Sequence, residues 1–348
     1  MRVSEFDYDL PPELIAQEPL AERSASRLMV VERTTGRIEH ACAADLHAWL
    51  RPGDLLVVND TRVIPARLHG HRVPSGGRVE CLLLRRIDAD RWDALVHPGH
   101  KLRPGERMRF ERGGAVLVAE VLDRRTFGRR TIRLEREGPG DVGAAIETIG
   151  EVPLPPYIKR PVRPADRERY QTVYAREHGS VAAPTAGLHL TPSVLSDLEA
   201  RGVQRAAITL HVGYGTFQPV RADVVEEHRI EPEPYSIETG AAAAINAALE
   251  EHRRVVAVGT TTTRTLEAVA LGHGGRVAAG SGSADLFIYP GFRFAVVGAL
   301  LTNFHLPRSS LLMLVAAFAG RERILEAYRV AVAERYRFYS YGDAMLIV

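Results

Sequence analysis

Residues 255–271 read VVAVGTTTTRTLEAVAL, and this stretch shows how the C-terminal half of the chain is organised. Residues 255–259 form a short apolar run that ends in glycine, which is typical of a buried strand. Residues 264–271 have the composition of a helix, and four threonines lie where that helix begins. A buried strand that leads directly into a helix is the repeating unit of α/β proteins.

Helix and strand alternate on both sides of this unit. Helical patterns occupy residues 192–201, 241–252, 311–318 and 322–335, and strand patterns occupy residues 28–31, 55–58, 206–212, 286–289 and 344–348. This alternation predicts an α/β fold with a mostly parallel, helix-covered sheet. The carboxyl ends of parallel strands share one edge of a sheet, where ligands usually bind.

The pattern changes between about residues 67 and 137. Short β-rich runs at 79–84, 92–96, 116–121 and 131–134 are separated by Gly and Pro turns. Close spacing of this kind, without a convincing helix, predicts a small antiparallel barrel or sandwich. We therefore expect an α/β catalytic domain formed by residues 1–62 and 150–348, with an inserted β-barrel domain at residues 63–149.

Charge is distributed unevenly along the chain. The net charge is only +2, but residues 62–136 contain 18 Lys and Arg against nine Asp and Glu. A basic segment in an otherwise acidic chain suggests a polyanionic partner such as a nucleic acid. A solvated, arginine-rich surface is the alternative.

The cysteines and the apolar runs argue against a secreted, metal-binding or membrane protein. Cys42 and Cys81 lie far apart and have neither CxxC nor Cys–His spacing, so neither a disulfide framework nor a zinc site is predicted. The N-terminus lacks an apolar signal core, and the longest apolar run, residues 311–319, is too short to span a bilayer. We expect a cytoplasmic protein without a metal site or a membrane partner.

Two loops could bring backbone close to a ligand. Residues 181–191, VAAPTAGLHLT, are small apart from His189, and the proline after Thr191 predicts a helix start. The 258–264 junction places Thr260, Thr261 and Arg264 at a helix N-terminus, which suits phosphate, carboxylate or ribose hydroxyls. A buried structural histidine and a multiply capped helix are the alternatives for these two stretches.

Two further junctions carry imidazole and aromatic side chains. Residues 210–219, LHVGYGTFQP, include His211 and Phe217, and residues 301–307, LTNFHLP, include Asn303 and His305. A single histidine is more often structural, but several at predicted strand ends favour an acid–base site for a nucleoside-like ligand. GxGxxG, Walker and HExxH patterns do not occur in the sequence, so the standard nucleotide and zincin sites are not predicted.

Longer motifs place the chain in a family. They are FDYDLPP at 6–12, PGDLLVVNDTRVIPAR at 52–67, RYQTVY at 169–174, SVAAPTAGLH at 180–189, TNFHLP at 302–307 and YRFYSYGDAM at 336–345. By these stretches, which follow in order along essentially the whole chain, the sequence resembles the S-adenosylmethionine:tRNA ribosyltransferase-isomerases of queuosine biosynthesis. The resemblance implies an α/β domain interrupted by a small β-barrel.

The resemblance also implies a reaction and its partners. The ribosyl unit of S-adenosylmethionine moves onto 7-aminomethyl-7-deazaguanine at the tRNA wobble position, adenine and methionine leave, and the product is epoxyqueuosine-tRNA. S-adenosylmethionine is then a co-substrate, tRNA is the macromolecular partner, and no prosthetic group is needed. We expect a monomer, with the basic barrel gripping tRNA phosphates.

This chemistry assigns roles to the candidate residues. The sulfonium acidifies the ribose 5′-carbon, so His189, His211 and His305 are acid–base candidates, with Asn303 positioning the substrate. Phe217 and Phe304 are candidates to stack adenine, and Thr260, Thr261 and Arg264 to hold the ribose or the methionine carboxylate. The other substrate-binding candidates are Asn59, Asp60, Arg62, Tyr170, Gln171, Thr185, Gly187, Gly213, Gly215, Thr216 and Glu233.

The sequence departs from the family pattern in places: Leu190 stands where Phe is usual, Gly298 stands where Asp is common, and one motif is altered. Where the family commonly has His-x-Met-His-x-Glu, this chain has His228-Arg-Ile-Glu-Pro-Glu233, so Ile230 replaces Met and Glu231 replaces the second His. A methyltransferase using the same co-substrate and a non-catalytic tRNA-binding protein are the alternative functions. Release of free adenine distinguishes the three.

Overall fold

The computed structural model describes residues 1–125, 128–217 and 220–348, except for the side chains of Thr216 and Phe217. The strands are β1 (Arg27–Val31), β2 (Ile38–Cys42), β3 (Leu55–Asn59), β4 (Thr61–Val63), β5 (Arg67–Val73), β6 (Arg78–Arg86), β7 (Arg91–His97), β8 (Arg107–Arg112), β9 (Ala115–Arg124), β10 (Arg129–Glu137), β11 (Glu177–Ser180), β12 (Gln204–Leu210), β13 (Glu233–Ile237), β14 (Val255–Val258), β15 (Gly280–Ala284), β16 (Ala299–Asn303) and β17 (Ala344–Ile347). The α-helices are α1 (Leu46–Trp49), α2 (Val142–Ile149), α3 (Asp166–Arg169), α4 (Pro192–Ala200), α5 (Thr239–Glu250), α6 (Thr260–Gly272), α7 (Ser310–Ala319) and α8 (Arg321–Ala333).

The main sheet has nine strands in the order β15-β13-β12-β3-β14-β16-β17-β1-β2. The pairs β12–β3, β3–β14, β14–β16 and β17–β1 are parallel, and the other four are antiparallel. The sheet is therefore mixed, and the prediction of a mostly parallel sheet was wrong. Two consecutive helices, α7 and α8, separate β16 from β17, so the chain re-enters the sheet in the opposite direction. The outer pairs β1–β2 and β13–β15 add antiparallel edges.

The predicted strand at residues 286–289 was also wrong, because these residues are irregular. The antiparallel partner of β13 is instead β15, whose sequence is Gly-Ser-Gly-Ser-Ala. Glycine and serine carry no β-propensity signal, whereas the apolar residues after them do. Strand β15 is therefore defined by its backbone pairing with β13, which the pattern of side chains does not indicate.

Helices cover both faces of the central strands. Leu55 and Val57 of β3 join a core with α5, α6, α7 and α8, whereas Leu56 and Val58 join the core against α1 and α4. All residues of β3, β14 and β16 are buried, which explains why these strands are continuous apolar runs and not alternating ones. This double covering leaves the strand ends as the accessible part of the central sheet.

Strands β5 to β10 form a separate antiparallel sheet. They pair in the order β10-β7-β6-β5-β8-β9, and β9 pairs back with β10, which closes the ring of strands. Their inward side chains, among them Leu68, Phe110 and Leu117, form their own core, on which Ile146 and Ile149 of α2 pack. The antiparallel character predicted from the close spacing of these strands is confirmed.

The described residues include no helix that is both long and apolar enough to cross a membrane.

Candidate active site

A cleft opens at the carboxyl ends of the parallel strands β12, β3, β14 and β16. The lining combines Tyr157, residues after β11, β12 and β14, the end of β16 with residues that follow it, and a C-terminal segment: Tyr157, Ala182, Ala183, Pro184, Thr185, Ala186, Val212, Gly259, Thr260, Thr261, Thr302, Asn303, Phe304, His305, Leu311, Tyr339 and Ser340. Six of the predicted site residues are therefore brought together here.

The start of α6 supplies hydroxyl and amide donors to this cleft. The hydroxyls of Thr262 and Thr263 are used within the helix, where they donate to the carbonyls of Val258 and Gly259 at 2.7 and 3.1 Å. Thr260 and Thr261 line the cleft instead. Gly259 has a φ of 92°, which lets the chain turn directly from β14 into the helix. The N-terminus of α6 thus suits an anionic group such as a carboxylate.

His189 contacts Asn303 from behind the cleft. Its Nε2 lies 3.0 Å from Asn303 Nδ2 and its Nδ1 lies 2.6 Å from Ser26 Oγ. The described lining of the cleft does not include His189, which lines a smaller adjoining pocket together with Ser26. Burial, reinforced by the charges of Arg23 and Arg337, lowers the pKa of His189 to about 4. The imidazole is therefore neutral at neutral pH.

His305 lines the cleft itself and is held rigidly. Its Nε2 lies 2.8 Å from Thr302 Oγ1, its backbone N–H donates to Tyr328 Oη at 2.9 Å, and its carbonyl accepts from Tyr8 Oη at 2.5 Å. Burial lowers the pKa of His305 to about 3. A neutral imidazole in a fixed orientation is thereby presented to the ligand space.

His211 lies beside the cleft, and the cleft's described lining includes its neighbour Val212 instead. The His211 ring packs on Gly179, where an added Cβ would lie 2.9 Å from the ring, and its Nδ1 lies 2.8 Å from Thr61 Oγ1. Burial lowers the pKa of His211, opposed by Glu177 and Asp60. Of the three predicted histidines, His305 therefore lines the cleft, His189 lies behind its wall and His211 lies beside it.

Arg264 and Glu233 form a buried ion pair, with each side chain 5% exposed. Glu233 Oε1 also accepts from the backbone N–H of Gly213 at 2.8 Å. Burial lowers the pKa of Arg264 to about 10. Since the arginine charge is already compensated by Glu233, the pair anchors the loop after β12, and Arg264 is not the open carboxylate clamp that the sequence suggested.

Glu231 stands where the family commonly has histidine, and it is exposed. It forms an ion pair with Arg129 of β10, and an added Cβ at Gly215 would lie 3.4 Å from its carboxylate. The side chain therefore joins the antiparallel sheet to the main body at the loop after β12.

Several other predicted residues hold backbone and do not line the cleft as described. Asn59 accepts from the N–H groups of Thr61 and Leu210 and donates to the Leu210 carbonyl. Gln171 both donates to and accepts from the backbone of Val63. Their hydrogen-bonding groups are thus committed to the strand ends.

The neighbours of these two residues also lie outside the described lining of the cleft. Asp60 accepts from Thr209 Oγ1 at 2.7 Å and lies 3.1 Å from an Arg176 nitrogen, while burial raises its pKa. The buried Tyr170 ring packs edge-on against Tyr341. Arg62 lies on β4 opposite His178 of β11. These positions shape the edge of the sheet and not the described wall of the cleft.

Gly187 is required by close packing. A Cβ at this position would lie 2.1 Å from Tyr174 Oη and 2.8 Å from Thr172 Cγ2. The glycine therefore lets the loop at residues 185–189 pack against the segment that follows α3.

Of the two aromatic residues predicted to stack adenine, Phe304 has a described side chain and Phe217 does not. Phe304 is fully buried, with its ring about 5 Å from those of Tyr328, Tyr336 and Phe338, so the structure does not support adenine stacking on it. The side chains of Phe217 and Thr216 lie outside the described residues.

Tyr157 and Tyr339 line the cleft, with ring centroids 4.0 Å apart. Tyr339 has a φ of 74°, a left-handed conformation that is an outlier for a bulky residue. Sequence reasoning missed this pair, and it also missed Ser340, which hydrogen-bonds Tyr157. Tyr339 and Ser340 lie within the motif at 336–345, whose aromatic and hydroxyl side chains are the signal that could have indicated them.

A ligand cleft at the strand ends of a mixed α/β sheet, joined to a separate antiparallel sheet, is an arrangement typical of α/β enzymes. Residues 3–347 match the queuosine biosynthesis protein family, to which this chain belongs. The family predicted from the sequence motifs is confirmed.

The relatives share the full length of the chain. It is 56% identical to an S-adenosylmethionine:tRNA ribosyltransferase-isomerase from Symbiobacterium thermophilum and 55% identical to one from Moorella thermoacetica, covering 100% of both chains in each comparison. The crystal structure of S-adenosylmethionine tRNA ribosyltransferase from Thermotoga maritima is also similar. It is 41% identical, with a TM-score of 0.56 and coverage of 99% of this chain and 100% of that one.

Proposed function

We propose that this chain transfers and isomerises the ribosyl unit of S-adenosylmethionine onto 7-aminomethyl-7-deazaguanine at the wobble position of tRNA. Adenine and methionine are released, and the product is epoxyqueuosine-tRNA. The observation that carries this proposal is the identity of more than half of the residues, over the full length, with relatives named for this activity. The enzyme acts in the cytoplasm as a monomer, with S-adenosylmethionine as co-substrate.

The cleft is the proposed site of S-adenosylmethionine. The methionine carboxylate lies at the N-terminus of α6, where the hydroxyls of Thr260 and Thr261 and the unpaired amides of the first turn donate to it. The adenine lies against the ring of Tyr339 and its neighbour Tyr157, since both line the cleft and are partly exposed. Thr185 also lines the cleft.

His305 is the proposed acid–base residue. Its ring lines the cleft, and its depressed pKa keeps the imidazole neutral and able to accept a proton. The sulfonium acidifies the ribose 5′-carbon, from which this proton comes. The imidazolium formed in this step then donates the proton to the departing adenine.

The antiparallel sheet is the proposed tRNA platform, within an inserted β-barrel domain at residues 63–149. The α/β catalytic domain is then formed by residues 1–62 and 150–348. Arg124 and Arg125 are exposed and border a groove that also contains His97 and His100. Arg130 belongs to the fold and not to this surface, because its buried guanidinium donates to backbone carbonyls, including that of Leu102 at 2.9 Å.

One assay distinguishes this function from its alternatives. The protein is incubated with S-adenosylmethionine and tRNA that carries the aminomethyl-deazaguanine, and the products are separated by chromatography. We expect free adenine and methionine, and neither with tRNA that lacks the modified base. Release of S-adenosylhomocysteine would show a methyltransferase. Tight tRNA binding without any small-molecule product would show a binding protein.

A further inference from the structure

Asn303 has one amide atom without a partner. The residue lines the cleft and is 3% exposed, and its Oδ1 is buried without a hydrogen bond to any described residue. A buried acceptor of this kind is costly unless something donates to it. The nitrogen of the same amide is turned toward His189, which lies behind the cleft. We therefore infer that Oδ1 faces the interior of the cleft.

We propose that Ser26 and His189 are positioning residues that fix the Asn303 amide, so that Oδ1 accepts a hydrogen bond from a hydroxyl or amino group of the adenosyl unit. This inference rests on the proposed function for the identity of the ligand. It gives His189 a positioning role in place of the acid–base role predicted from the sequence. It also adds Ser26, which was not among the residues predicted from the sequence.

The hydrogen-bond directions allow one arrangement. Asn303 Nδ2 lies 3.2 Å from the Tyr339 carbonyl, which can only accept, so the amide nitrogen must be on that side. The same nitrogen lies 3.0 Å from His189 Nε2, which is therefore the unprotonated acceptor. The ring proton is then on Nδ1 and is donated to Ser26 Oγ, whose own hydrogen goes to the Arg23 carbonyl at 3.1 Å.

This chain of bonds leaves His189 without a free nitrogen. Both ring atoms are engaged, and the ring is 4% exposed in the wall behind the cleft. A group that transfers protons must reach the reacting atom directly or through one water. His189 instead acts on the ligand through Asn303, in the way that outer residues orient the groups that contact a substrate.

The test compares His189→Gln with His189→Leu. The glutamine Oε1 reaches the place of Nε2 and can accept from Asn303, but it cannot take up a proton near neutral pH, and leucine can do neither. We expect His189→Gln to retain kcat within about threefold with an unchanged pH profile, and His189→Leu to raise KM for S-adenosylmethionine by about tenfold or more. Ser26→Ala should raise KM by severalfold without changing the pH profile.

Binding of S-adenosylmethionine, followed by calorimetry, accompanies each adenine-release assay. Should His189→Gln be as inactive as His189→Leu, with kcat lowered by about 10²-fold and one limb of the pH profile lost, His189 transfers protons and the inference is overturned. Unchanged binding and turnover in both His189→Leu and Ser26→Ala would also overturn it. Wild-type protein that binds S-adenosylmethionine but releases no adenine overturns the proposed function, while calorimetry still decides the positioning role. If His189→Leu does not fold, Ser26→Ala decides.

Discussion

Replacing Glu233 by glutamine tests the interpretation that the buried Arg264–Glu233 ion pair stabilises the fold. The substitution keeps the size of the side chain and its ability to accept from the Gly213 N–H. It removes the negative charge that compensates Arg264, whose side chain is 5% exposed. Breaking a buried pair in this way leaves an uncompensated charge, and we expect it to lower the free energy of unfolding by about 3–5 kcal/mol.

The measurement is thermal and urea unfolding followed by circular dichroism. At about 2–4 °C per kcal/mol for a unit of this size, Tm should fall by at least about 6 °C. The matched control is Glu250→Gln, which breaks the Arg276–Glu250 pair with both side chains 60% exposed. That control should cost less than about 1 kcal/mol.

A second variant separates charge burial from packing. Combining Glu233→Gln with Arg264→Met removes the buried charge together with its partner, so most of the lost stability should return. The reasoning is refuted if Glu233→Gln destabilises the protein no more than Glu250→Gln does, because Arg264 would then find compensation elsewhere.

Three further predictions follow from the site and the basic sheet. His305 is neutral in the folded protein, with a pKa of about 3, while the unfolded chain binds a proton below about pH 6.5, so stability falls as pH drops from about 6.5 toward 3. Between pH 7 and pH 5 the free energy of unfolding, measured with urea, should fall by about 2 kcal/mol less in His305→Gln than in the wild-type protein. An equal fall in both proteins would contradict this prediction. Combining Arg124→Glu with Arg125→Glu should weaken tRNA binding and reduce the slope of log K against log salt by about 1–2 in magnitude. The control Arg276→Glu should leave both unchanged. An unchanged slope in the double variant would place the tRNA-binding surface elsewhere. Tyr339→Asn should keep stability, since asparagine tolerates the left-handed backbone, but should raise KM for S-adenosylmethionine; an unaltered KM would remove Tyr339 from the site.

The sequence predicted the elements whose signals are local. Helix α4 begins at the Thr191–Pro192 pair and the strand β14 coincides with an apolar run, as expected from capping and hydrophobicity. The antiparallel character of residues 67–137 followed from the close spacing of turns. These features need no knowledge of what packs against them.

Features that depend on distant partners were missed. The direction of β17 depends on the path through two helices, and β15 is a strand because β13 pairs with it. Ser26 joins the site by a contact with His189 across 163 residues of sequence. No spacing rule connects such positions, so a single sequence could nominate the histidine but not its partner.

The polar motif at residues 59–62 shows why some of the predicted site residues line the cleft while others only support the strand ends. Where parallel strands end together, backbone N–H and C=O groups lose their sheet partners and must be satisfied by side chains. Asn59 does this for the neighbouring strand β12, because its side chain bonds both the N–H and the carbonyl of Leu210. Asp60 instead accepts from the side-chain hydroxyl of Thr209 on the same strand. The edge that binds a ligand therefore also needs buried polar residues of its own, and a motif at a strand end marks the site without showing which of its members contact the substrate. A substitution at Asn59 should accordingly act on the cleft through the position of β12, by changing its shape and not by removing a contact.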